Sequence, residues 1–286
     1  MASRPIFVVP IAVCALALVG MVFSPIRSSN TPLSVECFDD MFCIEPIQRG
    51  DTVDVYLRNM MDWQLSVMVD FEVDNMSIDR ELPISKSLNP HQRYRTLRLI
   101  GGRRGGMWSY KYTLQWLMGK IDALHESNYA YALPWSNGLS FMVGQANNGE
   151  HTHQSTNAID WNMPVGTAVR AARDGVVVEI KDRYFEGGLT DDLRSRANLV
   201  AIMHDDGTVA QYVHLDYQGV RVKRGTRVRR GQLIGISGDT GYSSGPHLHF
   251  EVYSVTKDLK RRTIPVRFQT STGVENSLEQ GAVYSR

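Results

Sequence analysis

Two histidines one residue apart, His247 and His249 in GPHLHFEV, are the side chains of this chain best spaced to do chemistry. On an extended strand successive side chains point to opposite faces. His247, His249 and Glu251 then share one face, and Leu248, Phe250 and Val252 the other. Neutral imidazole is a good metal ligand, and the apolar backing would anchor the strand in a core. Alone, the pair fits a polar sheet face equally well. Other donors lie upstream: histidines also occur at 151, 153, 204 and 214, and Asp160 sits in AIDWNMP between an apolar pair and a turn. A catalytic zinc takes three protein ligands and keeps a fourth position for water, so this stretch holds enough donors for one. There is no HExxH motif to supply a glutamate base.

The elements that must position these residues read as strands. TAVRAA, GVVVEIKD, NLVAIMH and VAQYVHL carry β signals, the last two joined by the turn Asp205-Asp206-Gly207. GVRVKRGTRVRRGQLIGISG sets apolar residues between glycine turns, as tightly folded β-structure does. Its likeness to the hairpins of biotinyl and lipoyl carriers is one of architecture, since no lysine stands at an exposed turn tip. Tyr184 to Asn198 is polar and aperiodic, which predicts a long loop beside the site. Upstream, VDVYLRN, LSVMVDFEV, YRTLRLI and WSYKYTLQW alternate apolar and polar residues between turn-formers, predicting a small β-sandwich without catalytic features.

The 286 residues leave room for two modest domains, and the formal net charge of +1 leaves no field to attract nucleic acid. The basic runs at Arg103-Arg104 and Arg221 to Arg230 read as solvated surface. Ile6 to Phe23 is an uncharged run of 18 residues, long enough as a helix to span about 27 Å. It is expected to act as an export signal or a membrane anchor, with the remainder of the chain outside the cytoplasm. Cys37 and Cys43 bracket FDDMF, and in an oxidising compartment they are expected to close a small disulfide loop.

The segment NAIDWNMPVGTAVRAARDGVVVEI, then VAQYVHL, then GDTGYSSGPHLHFEV resembles, in order, the lysostaphin-type (LytM-like) zinc peptidases that cut peptides of bacterial peptidoglycan. The resemblance covers about Trp135 to Val266. It implies that His153, Asp160 and His249 bind one Zn2+, with His214 and His247 flanking the metal-bound water, where the pair can supply between them a base for the water and a donor for the oxyanion. Asn198 and Tyr242 are the expected substrate contacts. The common H-x-x-x-D spacing would put the first ligand at position 156, which is threonine. THQSTNAID resembles instead a subgroup with a longer loop, so His153 is favoured and His151 stays open as first ligand.

The expected organisation is all-β: a leader or anchor over 1–30, a β-rich domain over 31–134, a zinc peptidase domain with a groove over 135–270, and a tail over 271–286. The expected partners are peptidoglycan peptides, and the expected location is the periplasm or cell envelope, with anchorage in the inner membrane through residues 6–23 as one form. The alternative is a non-catalytic family member that binds the wall or activates an amidase.

Overall fold

A computed structural model of the chain describes residues 31–32, 34–102 and 107–286. The apolar run Ile6 to Phe23 lies outside them. Among the described residues the secondary structure is strand, apart from one short 3-10 turn at Asp191–Ser195, in agreement with the all-β expectation.

The chain falls into two compact units, and the downstream one consists of Asp122–Val255 and Arg261–Arg286. In the upstream unit the predicted strands form as Thr52–Asn59, Leu65–Asp74, Arg93–Gly101 and Ser109–Met118. They belong to two antiparallel sheets, one built on the ladder of Phe42–Arg49, Thr52–Asn59 and Arg93–Gly101, the other on Ile84–Leu88, Leu65–Asp74 and Ser109–Met118. Alternation buries one face of each strand: Val53, Val55, Leu57, Val67, Val69, Leu97, Leu99 and Leu114 are all within 1% of full burial. Phe42 meets Trp116 edge-on, with ring centroids 5.3 Å apart. Cys37 and Cys43 form the expected disulfide, facing one another across the hairpin of Glu36–Phe38 and Phe42–Arg49.

The downstream unit is organised on a sheet in which Asn198–Met203, Val209–Val220, Leu248–Val255, Ala158–Trp161 and Ser140–Gln145 are successive neighbours. The apolar side of Leu248–Val255 enters the core as expected: Leu248, Phe250 and Val252 are buried, while His249 lies on the opposite face and stays partly accessible. Aromatic rings fill the space behind it. Phe250 meets Tyr212 at 5.1 Å, Trp161 at 5.9 Å and Phe268 at 5.8 Å, and Trp161 meets Trp135 at 5.3 Å. These edge-on and tilted contacts, together with full burial of large rings, pack the backing of the strand densely.

The division falls upstream of the expected boundary at 134/135, and residues 271–286 are not a free tail. Ala130–Ala132 pairs in parallel with Arg267–Thr270, burying Tyr131, and Val283–Ser285 pairs with Ser140–Gln145. The Arg286 guanidinium donates to the carbonyls of Leu133 and Trp135. Both segments are short and weakly periodic, so their strand character comes from partners far away in sequence.

The disulfide closes a loop of sequence separation 6. A loop of that size restricts the unfolded chain by about 2 kcal/mol. The double variant Cys37→Ser/Cys43→Ser should therefore lose about that much stability in calorimetric unfolding of the oxidised chain.

Candidate metal centre

The register of the downstream sheet sets three polar residues in one lateral row. Gln145 stands opposite Asp160, and Asp160 opposite His249, one residue from each of three adjacent strands. Next along the row comes Val213, opposite His249.

His153 reaches the row from a loop. It is buried, with 1% exposure, and its Nδ1–H donates to the carbonyl of Ala146 at 3.1 Å. That bond leaves the Nε2 lone pair free, and Nε2 lies 3.2 Å from Asp160 Oδ2 and 3.3 Å from His249 Nδ1. His249 Nδ1 is in turn 2.9 Å from Asp160 Oδ1. Tetrahedral coordination with bonds of about 2.0–2.1 Å puts donors about 3.3 Å apart, so these atoms are spaced as three ligands of one small metal ion. Two imidazole nitrogens and one carboxylate oxygen are also the donor chemistry that suits zinc. Among the described residues this is the one cluster of its kind.

The electrostatics favour a cation there. Burial opposes ionisation of Asp160, but the adjoining imidazoles of His153 and His249 outweigh it and hold the carboxyl well below its usual range. Burial likewise opposes charge on His249, yet Asp160 and Glu251 raise its pKa to about 10. Glu251 Oε2 lies 3.6 Å from His249 Nε2, on the side away from Asp160.

His214 and His247 stand beside this triad, their ring centroids 4.4 Å apart. His214 is the extra residue of a bulge: Asn198 pairs with Leu215 and Leu199 with Val213, and His214 between them has φ 63°. A left-handed residue in a bulge re-aims its side chain relative to simple alternation, and such backbone concentrates at functional sites. Its Nδ1–H donates to the Thr240 carbonyl at 2.7 Å, leaving Nε2 as a free acceptor. Burial, with neighbouring His247 and His249 adding to it, lowers its pKa to about 3, so the ring is neutral at physiological pH. His247 immediately precedes the strand; its Nδ1–H donates to the Gly245 carbonyl at 2.8 Å and lies 3.2 Å from Ser243 Oγ, and its Nε2 is 3.9 Å from Asp160 Oδ1.

The structure thus brings together His153, Asp160, His249, His214 and His247, and it separates His151, which is exposed and offers its backbone N–H to Gln145. Asn198, expected at the substrate, is fully buried. Its amide donates to the Tyr184 and Asp216 carbonyls and its oxygen accepts from Tyr184 N–H, so its polar capacity is spent on holding loops. Tyr242 is half-buried, with the Arg194 guanidinium over its ring at 3.9 Å. The segment after Tyr184 is tied down at Gly187 and Gly188, which pair with Gly241 and Tyr242. Gln145 carries no motif, and only the register reveals its place.

His204 lies away from the cluster. It is buried, its Nδ1–H donates to the Asp174 carbonyl at 2.8 Å, and burial lowers its pKa to about 4. A histidine depressed on folding supports stability above its unfolded pKa of about 6.5 and withdraws it as pH falls toward the folded value. Acidification from pH 6.5 to 4 should remove about 3 kcal/mol through this group. His204→Asn, which keeps the donor to Asp174, should flatten that part of the stability profile in denaturant titrations.

Residues 154–261 match the family model described as Peptidase family M23, a span that includes Asp160, His214, His247 and His249. Over 96 residues the chain is 41% identical to the peptidoglycan DD-endopeptidase ShyA of Vibrio cholerae, covering 34% of this chain and 20% of that protein. Over 136 residues it is 33% identical to lysostaphin of Staphylococcus simulans, covering 45% and 24%. Among solved structures, the catalytic domain of that lysostaphin is 32% identical, with 46% of this chain and 84% of that one covered and a TM-score of 0.29. The chain spans 20%, 26% and 29% of the length of three curated relatives it matches.

Proposed function

We propose that this chain, whose downstream unit carries an M23 peptidase domain, is a zinc-dependent endopeptidase that hydrolyses peptide bonds in the stem peptides or crosslinks of bacterial peptidoglycan. The observation that carries the reading is the convergence of His153 Nε2, Asp160 and His249 Nδ1 at 2.9–3.3 Å, with two further imidazoles beside them.

Zinc held by these three residues supplies a Lewis acid that polarises a carbonyl and acidifies water. The protein's own groups then divide the proton chemistry. His214, neutral and with Nε2 free, accepts a proton from the attacking water. His247, whose Nδ1–H is fixed on Gly245, presents Nε2 next to the ligand Asp160; with a proton also on Nε2 it would donate to the developing oxyanion and pass that proton to the leaving amine. Both imidazole ligands have a partner behind them: His153 the Ala146 carbonyl, and His249 the Glu251 carboxylate. A complete ligand set favours the enzyme over a wall-binding or amidase-activating relative, which would not need one. A protein that works on peptidoglycan would act outside the cytoplasm, in the periplasm or cell envelope. The apolar run Ile6 to Phe23 would then be its export signal or its anchor in the inner membrane.

Digestion of defined muropeptides by the purified, zinc-loaded protein, with mass analysis of the products, tests the reading and identifies the bond. His153→Ala, Asp160→Ala and His249→Ala are expected to lose both bound zinc and cleavage, and His151→Ala to keep both. His214→Ala should keep zinc and lose turnover by about 10²–10⁴-fold. Intact muropeptides after incubation with zinc-loaded wild-type protein would favour the non-catalytic alternative.

A further inference from the structure

We infer that Gln145 is a positioning residue of the metal centre, one carboxamide that fixes the loop carrying His153 against the carboxylate of Asp160. The inference rests on the metal-binding reading above.

The distance in sequence between the first two ligands creates the need for such a residue. His153 stands well upstream of Asp160, on a loop rather than a strand, while Asp160 and His249 sit on paired strands. Paired strands hold their side chains in register; a loop does so only if its backbone is tied. The ties converge on Gln145. Its Oε1 accepts from the backbone N–H groups of His151 at 3.0 Å and Thr152 at 3.1 Å. Its Nε2 donates to Thr152 Oγ1 at 2.8 Å and to Asp160 Oδ2 at 3.1 Å. A carboxamide offers two donors and an acceptor with two lone pairs, so all of its capacity is used. Asp160 Oδ2 is the oxygen that also lies 3.2 Å from His153 Nε2. One side chain therefore grips both the loop just before His153 and the oxygen that His153 faces.

A bulge between Val143 and Gln145 aims the side chain. Val143 pairs with Trp161 and Gln145 with Asp160, so Gly144 is the extra residue and Gln145 is set beside Asp160 in the lateral row. Gln145 is buried, with 5% exposure. Four bonds inside the protein make it costly to reorient, since any released donor or acceptor would be left without water. A residue needed only to staple the loop would have no use for the bond to Asp160. A residue needed only to orient Asp160 would have no use for the two loop amides.

The test is zinc affinity of the metal-stripped full chain, read by competition with a chromophoric chelator, together with the rise in unfolding temperature that zinc produces. Loss of a partner that orients metal ligands weakens binding 10–100-fold. Gln145→Ala is expected to show that loss and a correspondingly smaller zinc-induced rise in unfolding temperature. Gln145→Met, which keeps the stem and loses the amide, should show it too and guards against misfolding of the alanine variant. Thr152→Val, at an exposed position, removes one acceptor and should weaken zinc several-fold. Zinc affinity within twofold of wild type in the Gln145 variants overturns the inference while leaving the metal centre standing. Absence of zinc binding by the wild-type chain overturns both.

Discussion

A carboxylate withdrawn from water must be met by positive charge or by donors, and Asp160 is the point where the downstream unit meets that demand. Its side chain is 13% exposed. His153, His249 and Gln145 all reach its two oxygens. Each comes from a different part of the chain, so the anion draws together the loop before it, the strand on one side and the strand on the other. Repulsion or loss of any one of them would leave buried charge uncompensated, which is among the costlier defects a fold can carry. The same demand makes the cluster a cation site: two imidazoles and a carboxylate at ligand spacing are stable together only with a proton or a metal among them.

Two bulges do the aiming. Regular alternation on strands supplies the His249 face and its apolar backing, but His214 and Gln145 owe their directions to extra residues in neighbouring ladders. At His214 the backbone takes a left-handed turn within a strand, and the ring's Nδ1–H is spent on the Thr240 carbonyl. The result is a pair of neighbouring imidazoles with contrasting electrostatics. His249, between carboxylates, is driven toward positive charge, whereas His214, buried beside other imidazoles, stays neutral. Environment alone makes the difference, since the side chains are identical.

The loops around the site are held by backbone-directed amides and not by their own composition. Asn198 binds Tyr184 and Asp216, and Thr240 Oγ1 accepts from Asn198 N–H and donates to the Leu215 carbonyl. This explains why Asn198, a candidate substrate contact in the sequence, is buried as a loop tie. A polar residue at the start of a strand signals either a groove contact or a loop tie, and only burial tells them apart.

By itself the sequence determined the strand character of both units, the two faces of the His-x-His strand, the disulfide partners and the family resemblance that singles out Asp160, His214 and the two histidines of HLH. These depend on local period, spacing and motif, which a linear chain displays. The tertiary structure decided the rest. It sets His153 beside Asp160 and leaves His151 exposed, and Gln145, which accepts from the His151 N–H, sits in SFMVGQ without any signal of its place. Pairing also set the start of the downstream unit at Asp122 and the strand at Val283–Ser285, because short, weakly periodic segments become strands only when a distant partner offers a ladder. The row of Gln145, Asp160 and His249 is a matter of register between strands far apart in the chain, and register is a property of the folded sheet.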